Sequence, residues 1–173
     1  PYNTFGIDLP ASEFLEVDSV ETLQKILKIR EGQEFFVLSG GSNLLLTAPL
    51  KTLVLYINMG GKEILEEDGQ TTIIRAMAGE NWHDLVLWSL DRGLGGIENL
   101  ALIPGKCGTA PIQNIGAYGV ELRDIFHACE AVEVATGALR RFSAEDCAFG
   151  YRDSFFKQEG KGKYIITSLE LKL

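Results

Sequence analysis

The sequence predicts an α+β fold in two lobes, from three observations. Two amphipathic helix patterns, near residues 20–31 and 81–92, alternate with short apolar runs of strand length. Asp68-Gly69 separates Ile64-Leu65 from the apolar stretch Thr71 to Ala78, a hairpin signal. Tyr164 to Leu173 alternates, with Ile165, Thr167, Leu169, Leu171 and Leu173 on one face and Ser168, Glu170 and Lys172 on the other, which reads as a final strand. No internal repeat and no low-complexity linker interrupts the chain. One helix–strand block covers 1–57 and a second covers 58–173, so a ligand between two abutting lobes is expected.

In the first block, Asp18-Ser19-Val20-Glu21 reads as a capping box. Val20, Leu23, Ile26 and Leu27 follow at helical spacing, and Gly32 is the expected stop. Phe35 to Leu38 is a buried strand that empties into Ser39-Gly40-Gly41-Ser42-Asn43. Leu44 to Leu46 and Leu53 to Ile57 read as further strands. In the second block, Trp82, Leu85, Val86 and Ser89 share one helical face, and Gly93 ends that helix. Ala131 to Ala135 and Leu139 to Phe142 form a hairpin about Thr136-Gly137. Ser143-Ala144-Glu145-Asp146 starts a short helix.

Composition narrows the function. The chain has 173 residues, 46% hydrophobic and 23% charged, which suits a soluble globular protein with a sizeable core. A net charge of −8 argues against a nucleic-acid surface, although backbone N–H groups can still bind phosphate. The three cysteines, Cys107, Cys129 and Cys147, are widely spaced and form no CxxC; with only two histidines, neither a disulfide framework nor a metal site is expected. A reducing cytoplasm, no membrane span and no signal peptide fit these features. The chain begins at Pro1, so a trimmed N-terminus is expected.

The most informative stretch is Pro104 to Glu121, rich in Gly and short side chains, with no helical or strand period. Gly lets backbone approach a ligand closely, and Gln113, Asn114 and Tyr118 add polar and aromatic contacts. Such a loop suits a large planar or phosphorylated ligand. Ser39-Gly40-Gly41-Ser42-Asn43 fits either a pyrophosphate cradle or a plain turn; the chain lacks a Walker lysine and a GxGxxG opening a helix. His83 reads as a cap or surface residue, Trp82 as core, and Cys107 as a small loop side chain. Arg152 fits either an anion clamp or a turn ordered with Asp153, and on the residues alone the turn is favoured.

Taken together, Asn3-Thr4-Phe5-Gly6, Gly41-Ser42-Asn43, Gly79-Glu80-Asn81-Trp82, Glu98 to Gly105, Pro111 to Glu121 and Gly150-Tyr151-Arg152-Asp153-Ser154 occur in the order seen in one family. Over essentially its whole length the chain resembles the UDP-N-acetylenolpyruvoylglucosamine reductases of bacterial peptidoglycan synthesis. The resemblance implies an FAD-binding fold of the vanillyl-alcohol-oxidase type, with two α+β subdomains around the flavin. It implies NADPH as hydride donor and a small-molecule UDP-sugar as substrate, in a cytoplasmic monomer. Carried over, the cofactor-binding residues are Gly41, Ser42, Asn43, Pro104, Thr109, Ile112, Gln113, Asn114, Gly116, Tyr118, Gly119 and Ile166. Arg152 matches the family's catalytic arginine, which reverses the preference for a surface turn.

The family continues past the strand matching Tyr164 to Leu173, into a domain that binds the UDP-sugar and carries a Ser or Cys proton donor and a second catalytic Glu. Ser154, Ser168 and Glu170 match neither role, so the chain is expected to be the FAD-binding part, inactive alone. A flavin-binding module without catalysis and a related FAD-dependent oxidase are the alternatives. Lys106-Cys107 departs from the usual Cys/Thr-Val pair, and Lys106 is expected either to assist the phosphate loop or to be solvated. Thr109 is expected to keep a hydroxyl donor there.

Overall fold

The computed structural model describes residues 2–173; Pro1, and with it the expectation of a trimmed start, lies outside them. Two sheets organise the chain. The first contains β1 (Ala11–Val17), β2 (Phe35–Leu38) and β3 (Leu50–Ile57) in the order β1-β3-β2, all parallel, with α1 (Val20–Ile29) as the crossover. The second is antiparallel: β4 (Lys62–Glu67), β5 (Thr72–Met77), β10 (Tyr164–Lys172), β8 (Phe126–Glu133) and β9 (Leu139–Ser143), in that spatial order. Between them in sequence come α2 (Trp82–Leu90), the small hairpin β6 (Gly116–Ala117) and β7 (Val120–Glu121), and α3 (Ala144–Cys147).

Local chemistry explains most boundaries. Ser19 caps α1, its Oγ accepting from the Thr22 N–H at 3.1 Å. The expected capping box on Asp18 and Glu21 therefore does not form: the cap is one residue later, and Asp18 accepts from the Thr22 hydroxyl at 2.9 Å. Asn81 caps α2, and Trp82, Leu85, Val86 and Ser89 are all buried on the face their spacing predicts. Asp68 Oδ1 accepts from the N–H groups of Gln70 and Thr71 and closes the β4–β5 hairpin, with Gly69 at φ 82°. Ser143 and Asp146 form a complete capping box at α3.

Two expectations fail. Leu44 to Leu46 is not a strand, since no neighbouring strand accepts it, whereas β1 forms from a segment whose Glu13 and Glu16 obscured its period. The faces of β10 also differ from a simple alternation. β10 is the central strand, and Thr167 is an extra residue against β8, because Ile166 pairs with Ala131 and Ser168 with Glu130. This bulge reverses the parity. Ile166, Leu169 and Leu171 consequently enter the same large core as Trp82 and Phe142, while Ile165 joins Leu23, Leu55, Ile57 and Met59 in a smaller core shared with the first sheet.

Glu170 is buried rather than exposed. Arg141 binds both its oxygens, at 2.6 and 2.5 Å, and Arg75 donates to Oε1 at 2.8 Å. Burial works to raise the Glu170 pKa, but hydrogen bonds and charge from Arg141 and Arg75 outweigh it and hold the carboxyl below its ordinary value. A depressed folded-state pKa stabilises the fold fully above the unfolded value and less as pH falls through the folded one. Glu170→Gln is expected to cost about 2 kcal/mol at neutral pH, because charge-assisted hydrogen bonds from two arginines are lost while water partly solvates the exposed guanidinium groups. It is also expected to flatten the loss of stability on acidification, and urea midpoints at neutral pH and near pH ~4 check both effects.

Candidate functional site

The first wall of the site is the loop leaving β2. Gly41 adopts φ 60°, and a Cβ there would stand 2.4 Å from the Tyr2 carbonyl oxygen. Gly40 presses on the second wall, and its Cβ would stand 3.1 Å from Gly105 Cα. Two side chains join these walls: Ser42 Oγ donates to the Pro104 carbonyl at 3.2 Å, and Asn43 Nδ2 donates to Gln113 Oε1 at 3.2 Å. Among the described residues, no protein acceptor takes the backbone N–H groups of Gly41, Ser42 or Asn43. Consecutive unpaired N–H groups of this kind form an anion nest.

The second wall is a 3-10 turn, Cys107–Thr109, laid on the residue after β5. Gly108 N–H donates to the Ala78 carbonyl at 3.0 Å, and a Cβ on Gly108 would be 2.6 Å from Ala78 Cβ. Cys107 is buried, and burial pushes its thiol pKa far up, so it remains protonated. The Thr109 hydroxyl donates to the Lys106 carbonyl at 2.8 Å. Its donor is spent within the turn, contrary to expectation, leaving oxygen lone pairs as its remaining capacity.

These walls enclose a cavity of about 400 Å³. Of the expected cofactor residues, Gly41, Ser42, Asn43, Thr109, Ile112, Gln113 and Ile166 line it. Pro104 contributes through its carbonyl only. Several lining residues carried no sequence signal. Phe36, Leu38, Phe156 and Tyr164 give the cavity an apolar and aromatic lining, and Lys161 brings a cation. Ser39 also lines it, while its hydroxyl is buried and without a hydrogen-bond partner among the described residues.

The remaining expected residues gather nearby around a second, open cavity of about 460 Å³, which Gly116, Tyr118, Gly119, Glu121, Tyr151 and Arg152 line. Tyr118 and Gly119, at φ 51° and 82°, are the left-handed pair of the β6–β7 turn, which leaves the Tyr118 ring 88% exposed. Arg152, at φ 54°, donates from its guanidinium to the carbonyls of Gly116 and Asn114. Among the described residues it has no carboxylate partner; Asp153 is bonded to Gln158 instead. Asn114 is fully buried behind this cavity at φ 42°. Its amide donates to Gly150 O at 2.8 Å and Glu121 Oε2 at 3.2 Å, and its Oδ1 accepts from Arg123 N–H at 3.0 Å. Three left-handed residues other than Gly thus meet at one place, the kind of strain that concentrates at functional sites.

The turn before α2 plays a different part. Gly79 N–H donates to Met59 O at 2.7 Å, and Glu80 accepts from Gly61 N–H at 2.6 Å and from Lys62 at 2.7 Å. Trp82 Nε1 donates to Leu100 O, and His83 Nδ1 accepts from Leu102 N–H. Gly79 and Glu80 thus hold the connector between the sheets, and Trp82 and His83 hold the segment after α2; none of the four lines either cavity.

Comparison with known proteins follows the same pattern. The FAD binding domain family model matches residues 11–143. The UDP-N-acetylenolpyruvoylglucosamine reductase of Flavobacterium johnsoniae is 49% identical over 172 residues, covering 99% of this chain and 51% of that protein. The chain therefore spans about half the length of the relatives it matches. The crystal structure of the corresponding reductase from Thermus caldophilus superposes with a TM-score of 0.74 at 28% identity, covering 98% of this chain and 58% of the other. A solvent-stable cholesterol oxidase shares the fold at 16% identity, with a TM-score of 0.67 over 99% of this chain and 36% of its own. The architecture is thus the mixed α/β fold of the vanillyl-alcohol-oxidase type. This chain belongs to the FAD-binding domain family and is a homologue of the UDP-N-acetylenolpyruvoylglucosamine reductases.

Proposed function

We propose that the chain binds FAD and is the flavin-binding part of a reductase that uses NADPH to convert UDP-N-acetylglucosamine enolpyruvate to UDP-N-acetylmuramate in the cytoplasm, for peptidoglycan synthesis. The observation that carries this reading is the unpaired N–H nest of Gly41, Ser42 and Asn43 at the rim of a partly apolar cavity. A diphosphate supplies acceptors for that nest. The aromatic and apolar lining, Phe36 and Tyr164 among it, suits a planar ring. Lys161 adds charge complementary to phosphate. The residues present therefore fit the cofactor.

When bound, FAD supplies the two-electron carrier between NADPH and the enolpyruvyl group. The protein's part is electrostatic. Hydride arrival drives negative charge toward the substrate carboxylate, and Arg152 offers a guanidinium held by two neutral carbonyls. With no carboxylate neutralising it, that cation is available to the developing charge. The substrate's remaining contacts, including the proton donor, are assigned to the half of the relatives' length that this chain does not span. Among the described residues, no helix is long and apolar enough to cross a membrane.

Titration of the purified chain with FAD tests the binding claim. The expected result is a bound flavin absorbance band and quenched flavin fluorescence. Failure to take up FAD after refolding with excess cofactor would overturn it. Added NADPH and enolpyruvyl substrate are expected to give little product with this chain alone.

A further inference from the structure

We propose that Lys106 is a positioning residue for the flavin cavity, a strut that fixes the spacing between its two walls; this rests on the FAD-binding reading above. The sequence leaves Lys106 either assisting phosphate or solvated. The structure places it in neither position. Its ammonium donates to Asn58 Oδ1 at 2.7 Å, Tyr56 Oη at 2.9 Å and the Ile57 carbonyl at 3.1 Å. A lysine has three donors, and all three are used.

The partners are what give the arrangement its meaning. Lys106 stands on the glycine-rich loop, directly after Pro104 and Gly105. All three acceptors belong to the end of β3 or the residue following it, on the side of the first sheet. The ammonium thus ties the second wall of the cavity to the sheet that carries the first. Its anchor is itself fixed. Tyr56 packs against Tyr2 and Phe14, with centroids 4.8 and 5.8 Å away, and Asn58 Nδ2 donates to Glu16 Oε1 at 2.7 Å, which turns the amide oxygen toward Lys106. The ammonium also lies 4.2 Å over the Tyr56 ring.

Without this strut, the contacts between the walls at the nest are the close approach of Gly40 to Gly105 and two exposed hydrogen bonds, Ser42 to Pro104 and Asn43 to Gln113. Exposed bonds of this kind contribute little to rigidity, because water competes for them. A nest built from one loop and closed by another depends on their separation, so an anchor on neutral acceptors sets ligand affinity without touching the ligand. A direct phosphate contact would behave differently, since it would make binding depend on salt through this charge.

The test is FAD titration of the whole chain, wild type against Lys106→Met and Tyr56→Phe, at a temperature where each apo-protein is fully folded by circular dichroism. Lys106→Met is expected to weaken FAD binding about tenfold and to change the visible circular dichroism of the bound flavin, with the salt dependence of binding unchanged. Tyr56→Phe removes one acceptor and is expected to weaken binding by a smaller factor, and it serves alone should Lys106→Met not fold. Wild-type affinity and flavin spectrum in the variants would overturn the inference and leave FAD binding standing. A flattened salt dependence in Lys106→Met would also overturn it, in favour of direct contact. A wild-type chain that takes up no FAD overturns both readings.

Discussion

Gly79→Ala is expected to destabilise the protein by about 3 kcal/mol or more, the upper range for overpacking, because nothing near that position can yield. A Cβ on Gly79 would lie 2.4 Å from Met59 N and 2.5 Å from both Asn58 C and Met59 O, all backbone atoms. Relief requires moving the connector between the sheets, and that connector is held on several sides. Met59 is fully buried, Asn58 binds Lys106, and Glu80 holds Gly61 and Lys62. The hydrogen bond from Gly79 N–H to Met59 O would be strained as well. Gly69→Ala is the appropriate control. Gly69 has a left-handed φ of 82° but open space around its Cβ position, so only backbone strain of about 1 kcal/mol is expected there. Denaturant midpoints of the two variants check the difference; equal losses would show that the connector gives way easily.

Arg152→Lys is expected to slow reoxidation of the reduced flavin by the enolpyruvyl substrate by about 10²- to 10³-fold, the usual range for losing one preorganised electrostatic donor. The measurement is stopped-flow in a protein that also supplies the remaining half of the relatives' length. The guanidinium reaches the Gly116 and Asn114 carbonyls with two nitrogens at once. A lysine ammonium is a single point and cannot keep both contacts while facing the substrate. Flavin reduction by NADPH and FAD affinity are expected to change little, which separates this effect from a general loss of the site. An unchanged reoxidation rate would remove Arg152 from the mechanism.

Much of this was legible from local patterns. The buried face of α2 and the Asp68-Gly69 hairpin follow from spacing and turn chemistry, because both are decided within a few residues. The Gly41 loop was visible for the same reason, since only glycine accepts its φ beside the Tyr2 carbonyl. What escaped depends on distant partners. A bulge at Thr167 is set by the register against β8, so alternation along β10 misplaced Ile166, and Glu170 is buried because Arg75 on β5 and Arg141 on β9 cover it. The role of Lys106 depends on the end of β3, some fifty residues earlier in the chain. Lys161 is an unremarkable lysine until the fold brings it to the cavity.

The position of β10 also bears on how the protein is made. Residues 11–57 contain every strand of the parallel sheet, so a nascent chain can assemble it soon after that segment leaves the ribosome. The antiparallel sheet cannot follow in step. Its middle strand, pairing β5 on one side and β8 on the other, is the last of the ten to be synthesised. Until then the hairpins β4–β5 and β8–β9 each expose an open edge toward the space β10 will fill. Pairings so distant in sequence form slowly, and incomplete sheets invite association between chains. Chain termination within residues 164–172 is therefore expected to leave an aggregating product.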